Sequence, residues 1–165
     1  MKSIKLFMIL LIFLIGWVAN SFISPMISTS LESPLTLPFG VSSEKASPGN
    51  HVPESNIKVY SDKVLIAEEG ILFAKYANTN SMDPLFDESA NGLEKIPASP
   101  EDVHVGDIVS YNSGLIDSLI VHRVISINED SNGTYYTLKG DNNFLQDPER
   151  VRFEQIHGVL IGIIY

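Results

Sequence analysis

Three short stretches combine residue types that can do nucleophilic chemistry. They are Asn80-Ser81-Met82-Asp83-Pro84, Val121-His122-Arg123-Val124 and Lys139-Gly140-Asp141-Asn142-Asn143, with Asp147 six residues past Asp141. A serine hydroxyl attacks a peptide carbonyl only when a neighbouring base takes its proton. A neutral imidazole does this near pH 7 when a carboxylate fixes its tautomer. Serine, histidine and aspartate follow one another here in that order. Singly, each has an ordinary explanation: Ser81 opens a turn, His122 is a half-buried strand residue, and Gly-Asp-Asn-Asn is a turn sequence. Their joint occurrence is the signal. Two questions stay open on spacing alone. Lys139 is a rival base, because a desolvated lysine with a lowered pKa can activate a serine, and either Asp141 or Asp147 can face His122.

Other chemistries are poorly supplied. The chain has no cysteine, which rules out disulfides, thiol nucleophiles and cysteine metal ligands. The histidines at 51, 104, 122 and 157 form no pair at a metal-binding spacing, so neither a metal nor another cofactor is expected. Setting aside Lys2 and Lys5, nine basic side chains face 20 acidic ones, a balance of about −11 that argues against nucleic acid as a partner.

The elements that must position these residues are mostly strands. After Ile57 come short runs rich in β-branched and aromatic residues: IKVY, KVLIA, ILFAKYA, DIVSY, LIVHRVISI, TYYTL and VLIGIIY. Glu69-Gly70, Ser113-Gly114 and Asn132-Gly133 separate them as turns, the last with the composition of a two-residue hairpin loop. No long amphipathic helix appears in this part. The polar segment from Asp87 to Pro100 reads as a surface excursion from the sheet. A mainly β fold follows, a coiled antiparallel sheet over 56–165.

Ahead of it, Leu6 to Ala19 reads LFMILLIFLIGWVA after two lysines, and no charge appears before Glu32. This is a membrane segment, expected as a transmembrane anchor over 1–23. A cleavable signal peptide is the competing reading of the same pattern. Positive charge toward the inside would leave the remainder on the extracytoplasmic face of the cell membrane, as a single-pass protein. Residues 24–55, rich in Ser, Pro and Gly, are expected to form a flexible linker with a reach of roughly 30 Å.

The ordered motifs Ser81-Met82-Asp83-Pro84, Gly106-Asp107-Ile108-Val109, His122-Arg123-Val124 and Gly140-Asp141-Asn142-Asn143 resemble the boxes of the signal peptidase I family, in its archaeal and endoplasmic-reticulum branch. The resemblance covers residues 74 to 165. It implies a serine endopeptidase that removes signal peptides from exported precursor proteins at the lipid bilayer. Ser81 would be the nucleophile and His122 the base, where bacterial relatives use lysine. Asp147 matches the family's orienting aspartate, leaving Asp141 to support the site and Lys139 outside the chemistry. The Ser81 backbone N–H and the hydroxyl of Thr79 would form the oxyanion hole. Substrate would add as a strand near Ala74 to Thr79, with small side chains before the cut. The stretch between Pro84 and Gly106 is longer than the family pattern, and so is the linker. A specialised processing protease of the same chemistry and a noncatalytic, membrane-tethered protein-interaction domain are the alternatives.

Overall fold

The structure, a computed structural model, describes residues 8, 10–15, 17 and 45–165. The described residues before position 18 are helical, and among the described residues no helix is long and apolar enough to cross a membrane. The remainder of the expected anchor, and the linker as far as residue 44, lie outside the described residues.

The compact unit of residues 45–165 is mainly β. Strands β1 (Ile57–Val59) and β2 (Val64–Ile66) form a two-stranded antiparallel sheet. Strands β3 (Ile71–Lys75), β4 (Asn91–Lys95), β5 (Ile108–Ser113), β6 (Ser118–Asp130), β7 (Gly133–Lys139) and β8 (Ile156–Ile164) form a six-stranded sheet in the order β3-β4-β8-β5-β6-β7, and every pairing is antiparallel.

The period-2 alternation of strand side chains builds a core on each face. Along β5, Ile108 points into a cluster with Met82, Phe86, Ala90 and Leu160. Its neighbour Val109, and Tyr111 two further on, join Val103, Val124, Tyr136, Leu138, Val151 and Val159 in the other. Most of these are fully or almost fully buried, and each aliphatic side chain so placed stabilises the fold by about 1.5–3 kcal/mol relative to exposure.

The segment from Asp87 to Pro100 is not a surface excursion from the sheet. Its centre is β4, which lies between β3 and β8 inside the sheet. The polar sequence Asn-Gly-Leu-Glu-Lys disguised it, because its inward positions are Gly92 and Glu94. A Cβ on Gly92 would collide with the Tyr76 hydroxyl. Glu94 is only 1% exposed and accepts a 2.5 Å hydrogen bond from the Ser110 hydroxyl. Burial raises the Glu94 carboxyl pKa, against the opposing pull of that hydrogen bond and of His157.

Residues 45–55, taken as the end of the linker, pack on the domain. The Gly49 N–H donates to Asp107 Oδ1 at 2.7 Å, and Arg123 Nη1 donates to the Ala46 carbonyl at 3.3 Å. Gly106, at φ +102, makes this passage possible, since a side chain there would run into the Ser47 backbone. The β6–β7 hairpin closes one residue earlier than expected. Asp130 pairs with Gly133, so Ser131 and Asn132 form the loop and Gly133, at φ +100, begins β7.

Candidate active site

Ser81 stands at the start of a tight turn, 81–85, just beyond β3. Asn80 ahead of it adopts φ 55, a left-handed conformation that asparagine tolerates better than most residues. The carboxylate of Asp87 ties the approach by accepting from the Thr79 N–H at 3.1 Å and the Asn80 N–H at 3.4 Å. Met82 and Phe86, both buried, anchor the turn in the core. The Thr79 hydroxyl lies 3.1 Å from Ser81 Oγ and accepts from the Ser81 N–H at 3.4 Å. The two groups expected to form the oxyanion hole are therefore neighbours.

His122 comes from the middle of β6, where alternation sends it to the same face as Val124 and sends Arg123 to the opposite one. His122 is 6% exposed as a residue, and its Nδ1 lies 2.9 and 2.7 Å from the two Asp147 carboxylate oxygens. With a carboxylate as partner, Nδ1 carries the hydrogen and Nε2 keeps its lone pair. Tyr111 donates to Asp147 Oδ2 at 2.9 Å, and the Asp147 N–H donates to the Leu138 carbonyl at 2.8 Å, so both the carboxylate and the backbone that carries it are fixed. Burial, with the Asp147 charge, raises the Tyr111 phenol pKa well above its ordinary value, keeping it a donor. No sequence motif pointed to Tyr111.

Of the two aspartates, it is Asp147 that reaches His122. Asp141 pairs instead with Arg123, accepting from Nε at 2.8 Å and from Nη2 at 2.7 Å. Burial alone would raise its pKa, but the Arg123 hydrogen bonds and charge, helped by Lys45, bring it below the usual carboxylate range. Arg123 also donates to the Gly106 carbonyl at 2.7 Å. The Gly-Asp-Asn-Asn loop in turn grips the serine turn. The Asn142 N–H donates to the Ser81 carbonyl at 2.9 Å, and Asn142 Nδ2 donates to the Asn80 carbonyl at 2.9 Å. A Cβ on Gly140 would stand 2.7 Å from the Ser81 carbonyl oxygen, so this approach needs glycine. Arg123 thus links all four sequence motifs into one framework.

Ser81, Thr79 and His122 line a common cleft of about 430 Å³, with Ala77, Met82, Phe86, Leu119 and Val121 among its apolar walls. Lys139 is paired with Arg123 across β6 and β7 and is not among the residues lining this cleft. The arrangement offers a hydroxyl, a carboxylate-held imidazole and a set of N–H and O–H donors around one opening.

Among known proteins, the chain is 34% identical over 92 residues to the signal peptidase complex catalytic subunit sec11 of Schizosaccharomyces pombe, covering 52% of this chain and 48% of that protein. It is also 51% identical over 37 residues to an uncharacterized protein of Methanocaldococcus jannaschii, covering 22% of this chain and 18% of that protein. The chain therefore spans less than half the length of these relatives. The likeness to sec11 supports a signal peptidase I-like family, and the antiparallel β architecture fits a peptidase domain of that kind. No family model and no solved structure matches the chain.

Proposed function

We propose that this chain is a membrane-anchored serine endopeptidase that removes signal peptides from exported precursor proteins. Ser81 is the nucleophile, His122 the general base and Asp147 the residue that orients it. The observation that carries this reading is the Asp147 carboxylate on His122 Nδ1, which leaves Nε2 to a cleft that Ser81 also lines. The likeness to sec11 supports the substrate class, and the apolar run near the N-terminus supports the anchor.

In this mechanism Ser81 Oγ bonds to the scissile carbonyl carbon while its proton passes to His122 Nε2. The resulting oxyanion accepts from the Ser81 N–H and the Thr79 hydroxyl, both of which turn from their mutual contact toward it. His122 then gives its proton to the leaving amine, and water activated by the same imidazole releases the acyl group from Ser81. Asp141 does no proton transfer. It fixes the loop that holds the serine turn, through Arg123. The terminal position of β3 in the sheet leaves an edge for an extended peptide leading toward Ser81. Walls such as Met82 and Phe86 favour small side chains before the cut.

The test is cleavage of a detergent-solubilised precursor with a small-x-small site by the full chain, by Ser81→Ala and by His122→Ala. Cleavage after the small residue by the wild type, lost in both variants, is the expected result. A wild type inactive on several precursors, or a Ser81→Ala protein as active as the wild type, overturns the reading.

A further inference from the structure

A second cluster of chemically capable side chains lies apart from the cleft. His51 comes from the segment 45–55, His104 and Asp107 from the turn before β5, and one ligand-type atom from each falls within 4.8 Å of the others. His51 Nε2 is 2.9 Å from Asp107 Oδ1, and His104 Nδ1 is 3.5 Å from Asp107 Oδ2. Ligands around one tetrahedral zinc, at bond lengths near 2.1 Å, stand about 3.4 Å apart; the His104–Asp107 separation already matches this, and the His51–Asp107 pair would open by about 0.5 Å to admit the ion.

We propose that His51, His104 and Asp107 hold a divalent transition-metal ion, zinc by the chemistry of the donor set. Four features carry this assignment. First, His51 Nε2 is a buried nitrogen that makes no hydrogen bond despite its closeness to Asp107. An imidazole nitrogen set beside a carboxylate oxygen but out of line for a hydrogen bond is placed to share a cation with it. Second, the wholly buried Asp107 carboxylate is already oriented by backbone donors, receiving the Gly49 N–H on Oδ1 and the His104 N–H on Oδ2, each at 2.7 Å. Such outer contacts are what fix metal-binding carboxylates. Third, residue 49 is glycine: a Cβ there would lie 3.0 Å from His104 Nδ1 and 3.3 Å from His51 Nε2, in the space between the two rings. Fourth, His51 and His104 both line a polar cleft of about 320 Å³, shared with Lys95 and Asp102, which gives an ion a way in. Two imidazoles and one carboxylate suit zinc better than magnesium or calcium, which prefer oxygen ligands alone.

The ion would fasten the segment 45–52 to the domain. That segment also delivers Lys45 to the Asp141 carbonyl and the Ala46 carbonyl to Arg123. The metal is thus a structural clamp behind the framework of the cleft, and takes no part in bond cleavage.

Full-length protein in detergent, stripped with EDTA, is titrated with zinc chloride by calorimetry, and its thermal unfolding is followed with and without zinc. A single zinc per chain is expected, together with a raised Tm and slower hydrogen exchange at Gly49. Because outer contacts alone are worth roughly 10- to 100-fold in metal affinity, loss of a ligand in the exposed His104→Gln should weaken binding by roughly 100-fold or more. His157→Gln, outside the cluster, should bind as the wild type does. His51→Gln is the second ligand variant, and cobalt(II) in the wild type should give the intense visible absorption of a tetrahedral site. No saturable zinc binding, or equal affinity in wild type and His104→Gln, overturns the assignment. None of these readouts depends on peptidase activity, so this assignment and the proposed function fail separately.

Discussion

Replacing Asp147 by Asn is the sharpest perturbation of the proposed chemistry, because it keeps the shape of the side chain and removes its charge. In the native arrangement both Asp147 oxygens lie within 2.9 Å of His122 Nδ1, and one also accepts from Tyr111. With the amide oxygen turned to the Tyr111 hydroxyl, its NH2 group faces Nδ1. Nδ1 then becomes the acceptor and the hydrogen moves to Nε2, where it blocks the proton transfer from Ser81. The amide analogue of a catalytic triad aspartate loses about 10⁴-fold in kcat, or roughly 5.5 kcal/mol of transition-state stabilisation. The same order is expected here. Tyr111→Phe removes one hydrogen bond from the far side of the carboxylate, worth about 1–1.5 kcal/mol, and should cost about tenfold. The assay is kcat and KM on a fluorogenic peptide with a small-x-small site, with Tm measured in parallel. An Asp147→Asn protein that keeps a tenth or more of wild-type kcat would refute the assignment of Asp147.

Gly140→Ala should lower kcat by about 100-fold, the scale of a 1 Å displacement of a reacting group, because its Cβ would push on the Ser81 carbonyl; steady-state kinetics with a crystal structure of the variant checks this. The depressed pKa of Asp141 means that its pairing with Arg123 stabilises the fold above the ordinary carboxylate pKa, near 3.9, and that this contribution disappears as acid takes pH down through the folded value. Thermal unfolding from pH 6 to pH 2.5 should therefore fall more steeply in the wild type than in the charge-removed double variant Arg123→Met/Asp141→Asn. Glu94 has the opposite sign. Its raised folded pKa gives stability that is present below the unfolded value and lost as pH rises through the folded one, so Glu94→Gln should raise Tm at pH 7, with the gain shrinking toward pH 4; differential scanning calorimetry at the two pH values decides it.

Where short β-branched and aromatic runs stand between turn residues, the sequence is readable. The strands around Val109, His122 and Leu138 follow from their runs of β-branched and aromatic residues, and the turn at Ser81 follows from the Met-Asp-Pro sequence after it. β4 was hidden because its inward residues are Gly92 and Glu94: one makes room for Tyr76, and the other is buried as a carboxyl with Ser110 as partner. Neither carries the apolar signature by which strands are recognised. The division of labour between Asp141 and Asp147 was similarly out of reach from spacing. Both follow β7, and which one meets His122 depends on the path of the loop between them and on Tyr111 of β5, a partner distant in sequence. The cluster of His51, His104 and Asp107 has no local spacing to betray it, since a segment read as linker supplies one of its members.

The sequence neighbours His122 and Arg123 have a mechanical consequence. One reaches Asp147 beside the cleft, and the other, pointing to the opposite face of β6, holds the loop that grips the serine turn. The proposed base and the mount of the proposed nucleophile therefore ride on a single dipeptide. Any displacement of this stretch of β6 would act on both of them at once. Transplanting this activity onto another β scaffold would accordingly require the His-Arg pair together with the two loops it braces, because three side chains copied to the right coordinates would drift independently.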